Sequence, residues 1–217
     1  TEETTTGLVR LGTVGRRINV GAADWMTLSA LLRYPSMRIV LSESGIGWIP
    51  YFMERADFSH TRHKAWTHTS YDGMTPSEVF KKHFMSCFID DTFGLKSLED
   101  IGEDNVAYEC DYPHSDALWP EVPEFLWKSI QVAKLTDTQV EKVTHQNAMK
   151  WLKHDMFKYH KREDLTVGAL RAKAKADKVD TTPISLGGAK PLAEGEKART
   201  ITSGDIARMM AEQSKAA

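Results

Sequence analysis

The spacing of apolar side chains changes along this chain in a way that separates helices from strands. In AADWMTLSALLRY, Trp25, Leu28, Leu31 and Leu32 recur at helical intervals, which predicts a helix stopped by Pro35. The next run, MRIVLS, is short and rich in β-branched residues, as a strand is. A long helical stretch follows, GWIPYFMERADFSHTRHKAW, with Pro50 in its first turns and the turn signal YDGM after it. In TPSEVFKKHF, Thr75, Pro76 and Glu78 spell a helix start, because the Thr hydroxyl and the Glu carboxylate each satisfy a backbone amide left open by the first turn. FMSCFI is an unbroken apolar run of strand length; the loop DDTFG, a short helix around LKSLEDIG and a third strand, NVAYEC, come next. PEVPEFLWKSI and LTDTQVEKVTHQNAMKWL close this region as helices.

Strands made of unbroken apolar residues and separated by helices imply a parallel sheet covered on both faces. The fold class is α/β, either an open doubly wound sheet or a barrel. Three strands are too few to close a barrel, which takes eight strands and about 250 residues. Neither GxGxxG after a strand nor GxxxxGK[ST] occurs, so the phosphate loops of nucleotide folds lend no support. Residues 1–19 have no strong core pattern and are expected to be loop or a truncated edge. Residues 20–160 form the packed part and 161–217 an arm. Between Arg171 and Thr200 the arm is rich in Ala, Lys, Gly and Pro with few large apolar residues, which predicts an extended segment. Ser203 as cap, Asp205 in the first turn, and Ile206, Met209 and Met210 at helical spacing predict a short terminal helix.

Charge sharpens that division. The 217 residues carry 28 basic and 30 acidic groups, yet residues 1–149 hold 14 basic and 21 acidic ones while residues 150–217 hold 14 and 9. The basic excess sits in a tail rather than in a nucleic-acid footprint, and no apolar run reaches the roughly 18 residues that cross a membrane. Cys87 and Cys110 are the two cysteines, too few for a disulfide framework, which favours a reducing compartment and a cytoplasmic location.

Chemistry concentrates where the strands end. At the carboxyl ends of parallel strands side chains face a ligand site, and these ends read SESGIGW and CDYPHSD. Glu43 follows a strand directly, with Gly45 and Gly47 permitting a tight turn; the competing reading is a carboxylate favoured by a helix amino terminus. Asp111 ends another strand and precedes Pro113, His114 and Asp116. A carboxylate there serves as ligand to a divalent metal and as proton acceptor, or else it merely caps a turn.

VLSESGIGWIPYFMERAD, HFMSCFIDD, VAYECDYPHSDALWP and VTHQNAMKWL stand in an order that resembles the amidohydrolase-related family of metal-dependent hydrolases and decarboxylases, the group that includes aminocarboxymuconate semialdehyde decarboxylase. The resemblance covers roughly residues 20–155. It implies the C-terminal portion of a TIM-type (β/α)8 barrel, strands six to eight with their helices, followed by the arm. By resemblance Asp111 is the metal-binding aspartate after the last strand and takes the proton in water activation. Glu43 stands where many decarboxylases of the family have a catalytic histidine. Arg55 matches an arginine that, in dimeric members, reaches the neighbouring subunit's site to hold a substrate carboxylate, the competing reading being a solvated or intrahelical ion pair; His114 would contact substrate or support Asp111. Trp48, read from its place just after the glycine turn, either lines the pocket or belongs to the core. The His-x-His pair after the family's first strand and the histidine after its fifth have no counterpart among the eight histidines. The implied cofactor is a divalent metal, zinc first and manganese second, with an incomplete ligand set. The implied activity is hydrolysis or decarboxylation of a small carboxylated, ring-derived molecule, by a homo-oligomer or together with a missing N-terminal half. The alternative is a non-catalytic half-barrel that assembles with another chain. No nucleic acid and no membrane is expected as partner.

The arm carries a prediction. Exposed ion pairs contribute only about 0 to 1 kcal/mol each, so charge alone cannot dock it. Apolar anchors such as Ile184, Leu186, Leu192, Ile206, Met209 and Met210, worth about 1.5 to 3 kcal/mol each if buried on a second subunit, have to supply the rest. Deletion after Lys161 is expected to lower the association state measured by light scattering; an unchanged oligomer mass would refute this.

Overall fold

A computed structural model describes residues 14–28, 30–112, 114, 117–182, 195, 208, 211 and 212, with backbone only at 14–17. Three parallel strands form one sheet in the order β1-β2-β3: β1 (Ile39–Leu41), β2 (Phe84–Phe88) and β3 (Val106–Tyr108). Ile39 lies opposite Phe84, and Ser86 opposite both Leu41 and Val106, so all three strands end at one edge. Helices fill the connections: α1 (Val14–Thr27) and α2 (Ala30–Arg33) before β1, α3 (Ile49–Thr67) and α4 (Pro76–His83) between β1 and β2, and α5 (Thr92–Lys96) and α6 (Leu98–Ile101) between β2 and β3. After β3 come α7 (Val122–Ala133), α8 (Asp137–Glu141), a π-helical turn (Lys142–Gln146), α9 (Asn147–Leu152) and α10 (Val167–Ala176).

Burial follows from the strand pattern. All five residues of β2 are buried, as expected of a central strand that is apolar apart from Ser86 and covered on both faces. On the helix-covered face Phe84 and Phe88 join Phe80, Ile46, Ile49, Leu95, Leu98 and Ile101, and the Phe80 and Phe84 rings stack at 4.8 Å. On the other face Met85, Cys87 and Ala107 lie under Ala148 and Trp151 of α9. Burial pushes the Cys87 thiol up to about 12, so it stays protonated. β1 and β3 pair only with β2 among the described residues, which leaves each with one open edge, and Val40 is 43% exposed.

Two buried asparagines bind strands to helices. The Asn105 side-chain amide donates to Lys81 O (2.6 Å) and Phe84 O (2.7 Å), and that of Asn147 to Glu103 O (2.7 Å) and Val106 O (2.8 Å). Each satisfies one buried strand carbonyl, Phe84 O or Val106 O, together with a half-buried one. The Thr75 start is as read from sequence: Thr75 Oγ1 accepts from Glu78 N and the Glu78 carboxylate accepts from Thr75 N.

Elsewhere the expectations need correction. Residues 14–19, expected as loop, are helical in α1, and residues 1–13 lie outside the described set. Trp25 and Leu28 do not face the core, being 40% and 48% exposed; Ala22, Met26 and Leu31 do, because the helix ends at Thr27 and the face turns between α1 and α2. The last predicted helix is broken by the π-helical turn. The arm is not extended at its start: Arg162–Leu165 form a 3-10 turn, and α10 is capped by Thr166 Oγ1, which accepts from Ala169 N. Ala and Lys have high helix propensity, so a segment poor in core residues still winds, and Arg171 bonds Glu124 at 2.5 and 2.8 Å. The predicted terminal helix falls largely outside the described residues.

Asn105→Ala is expected to lower stability by about 1–3 kcal/mol, since it orphans two carbonyls, against about 1 kcal/mol for Thr75→Ala, compared by urea denaturation. Equal losses would contradict the special weight of the asparagine. Glu103 accepts from Gln139 and Lys142, which hold its carboxyl below the usual 4.5. A depressed native pKa stabilises the fold fully above the unfolded value, and that contribution disappears as pH falls through the native one. Glu103→Gln should therefore narrow the stability gap between pH 7 and pH 3; an unchanged gap would show that Glu103 does not contribute to it.

Candidate functional site

The parallel register delivers Ser42 and Glu43 from β1, Asp90 and Asp91 from β2, and Glu109 and Asp111 from β3 to the same edge. So many carboxylates at one edge need donors, and the backbone supplies them. Asp91 accepts from Ile46 N, Gly47 N and Gly94 N, each at 2.7 Å, which fastens the turn after β1 to the start of α5. Gly45 sits at φ +59°, and a side chain on Gly94 would run into Ile46 Cγ1 and lie 2.8 Å from Gly47 N, so both positions need glycine. Glu109 accepts from Ser42 Oγ (2.5 Å) and from Glu43 N.

Glu43 and Asp111 both have left-handed backbones, φ 54° and 55°, a conformation that costs non-glycine residues energy and recurs at functional positions. The ligand atoms of Glu43, Asp111 and His114 all lie within 4.8 Å of one another. His114 Nδ1 stands 2.7 Å from Asp111 Oδ1 and 3.9 Å from Glu43 Oε1. The Asp111 side chain is 9% exposed, whereas His114 and Glu43 reach solvent. The negative charge of Asp111, then partial burial, raises the Glu43 carboxyl above 4.5; Glu109 adds to the rise and His114 opposes it. Two crowded carboxylates and an imidazole are the donor set of a divalent cation, whose charge would relieve the repulsion between Asp111 and Glu43. On donor type, spacing and charge, these residues fit a metal.

Of the five residues singled out from sequence, the fold gathers three. Trp48 lies at the turn itself: its Nε1 donates to Ser44 O and Gly45 O, both at 3.1 Å, and its ring packs edge-on against Phe52 at 5.1 Å. Arg55 stands apart on α3, its guanidinium 4.7 Å over the Phe58 ring, at a cavity of about 410 Å³ against α1. Glu109 and Asp91 were not anticipated. Glu109 reads as the last residue of a strand, and Asp91 reads as loop although its place before Thr92-Phe93-Gly94 is that of a helix cap, which it is.

The sequence profile of the amidohydrolase family matches residues 13–153. No curated protein matches the chain. Among solved structures it resembles 5-carboxyvanillate decarboxylase LigW from Sphingomonas paucimobilis, with 23% identity and a TM-score of 0.54 over 65% of this chain and 41% of that one. It also resembles amidohydrolase map2389c from Mycobacterium avium subsp. paratuberculosis K-10, with 18% identity and 0.52 over 66% and 36%. A third is Metarhizium anisopliae IDCase, with 16% identity and 0.53 over 64% and 40%. The chain thus spans about two fifths of the length of these proteins, and at such identities the likeness is one of fold. With the profile extending from α1 through the Glu43, Asp111 and His114 cluster to the end of α9, the chain belongs to the amidohydrolase family.

Proposed function

We propose that this chain supplies the last three strands of a (β/α)8 barrel, here β1 to β3, in a metal-dependent hydrolase or decarboxylase, with Asp111 and Glu43 as its catalytic carboxylates. The observation that carries the reading is the meeting of Glu43, Asp111 and His114 within 4.8 Å at the carboxyl edge of a parallel sheet, where ligand sites of such folds lie. Asp111, with help from Glu43 and His114, would hold a divalent ion, zinc or manganese. That ion would supply Lewis acidity toward a substrate oxygen or water.

The remaining chemistry belongs to the side chains. Asp111, mostly shielded from solvent, accepts a proton through Oδ1 or Oδ2, and its bond to His114 Nδ1 fixes both groups in orientation. Glu43, which reaches solvent beside Asp111, is placed to pass a proton to a leaving group or a ring carbon. Glu109 holds the Glu43 backbone and Asp91 holds the glycine turn, so the carboxylates keep their separation without substrate. Trp48 serves through the same turn, clamping the Ser44 and Gly45 carbonyls. Arg55, exposed and without an ion-pair partner among the described residues, suits the capture of a substrate carboxylate in a neighbouring subunit of a homo-oligomer, through its paired N–H donors. The substrate class is a small carboxylated, ring-derived compound, and the arm beyond α10 packs on a neighbouring copy.

The test pairs binding with turnover. Asp111→Asn is expected to weaken Mn²⁺ or Zn²⁺ binding at least about tenfold by calorimetry, since it removes a charged ligand while keeping the side chain's shape. In protein carrying the whole barrel it should lower kcat by about 10² to 10⁴-fold, the range for a lost general acid–base group. Wild-type metal affinity together with turnover within about tenfold would refute the assignment. Metal removal by a chelator should abolish turnover and leave the far-ultraviolet circular dichroism unchanged.

A further inference from the structure

At the other end of the sheet, where the strands begin, there is a second concavity of about 450 Å³, and no residue of the carboxylate cluster lines it. Five cations do: Arg38 just before β1, Lys81 and Lys82 in the last turn of α4, and Lys150 and Lys153 at the end of α9. Asp104 is the one acid in its lining, and it is already paired with Lys142 at 3.3 Å. None of the five cations has an ion-pair partner among the described residues. In a chain of net charge −2, such a gathering is local and does not reflect general basicity.

The backbones that carry these side chains are fixed from within. Asn105 holds the α4 carboxyl end through Lys81 O and Phe84 O, and His83 Nδ1 donates to Met37 O (2.9 Å), which ties the start of β1 to the same helix. Trp151 forms the wall, its Nε1 bonded to Asp104 O (3.2 Å) and its ring 5.5 Å from the Arg38 guanidinium. Lysines at helix carboxyl ends also serve the helix dipole, and that accounts for a basic residue on each helix. It does not account for charges from three separate segments meeting in one hollow with no unpaired acid between them.

We propose that this concavity is a second binding site, for a small multivalent anion of the phosphate class such as a di- or triphosphate group. Lysine ammoniums are compact charges with three donors each, suited to tetrahedral oxyanions, and five cations match an anion of several charges rather than a single carboxylate. Size is set by the hollow. A long polyanion such as nucleic acid would have to lie along a body in which residues 1–149 carry 14 basic against 21 acidic groups, and it would be repelled.

Calorimetry with inorganic tripolyphosphate at low salt tests this on the whole chain. One molecule is expected to bind per chain, with affinity falling as salt rises. The double variant Lys81→Gln/Lys150→Gln should weaken binding at least tenfold, and Lys82→Gln/Lys153→Gln should do the same, while Lys96→Gln/Lys128→Gln, exposed lysines outside the hollow, should stay within twofold of the parent. All six lysines are exposed, and matching circular dichroism spectra will show that the fold is kept. Equal losses for all three pairs, or titration without saturation at one per chain, would overturn the site. A single-stranded oligonucleotide that binds more tightly than tripolyphosphate, and loses binding in the same variants, would overturn the small-anion assignment.

Discussion

Asp91 accepts three backbone N–H bonds, and the glycine turn that follows β1 at the carboxyl edge rests on that one side chain. Acidic groups brought together by parallel strands repel one another, and a sheet edge that gathers them is stable only if amides meet them. By accepting from Ile46 N, Gly47 N and Gly94 N, Asp91 has its charge met by amides and at the same time pins the turn that carries Glu43. Glu109 repeats the device from the third strand. What remains unrelieved is the close approach of Glu43 to Asp111, which is where the proposed chemistry is placed.

The legible part of this fold was the local part. The Thr75 to Glu78 start could be read because both partners lie within one turn, and β2 because its apolar run matches a strand buried on both faces. Glu43, Asp111 and His114 were readable because strand ends are where such groups collect. What escaped the reading depended on distance or on propensity overriding burial. Glu109 meets Ser42 across 67 positions in sequence, and nothing local announces that pairing. Trp25 and Leu28 have helical spacing, but which face is buried was decided by where α1 stops. The start of the arm winds into α10 because alanine and lysine favour helix even when little core is available.

The two ends of the sheet are electrically opposite. Strand ends gather acids, and strand starts gather the cations of α4, α9 and the approach to β1. The asparagine clamps sit between these ends, so the same bonds that close the core also fix the spacing of charges at the strand starts. Helix carboxyl ends and strand starts fall together by topology, and lysines favoured at the former are thereby concentrated at the latter.

The open sides of β1 and β3 have a consequence for assembly. An unpaired strand margin presents amides and carbonyls in a row that another strand can complete, and here there are two such margins on a sheet of three. Each is only three residues long and lies between helices, so it offers a short, directional socket rather than a long template. The sheet is in that sense extensible at both sides, and growth by strand addition would lengthen it without disturbing the bonds that hold the existing three.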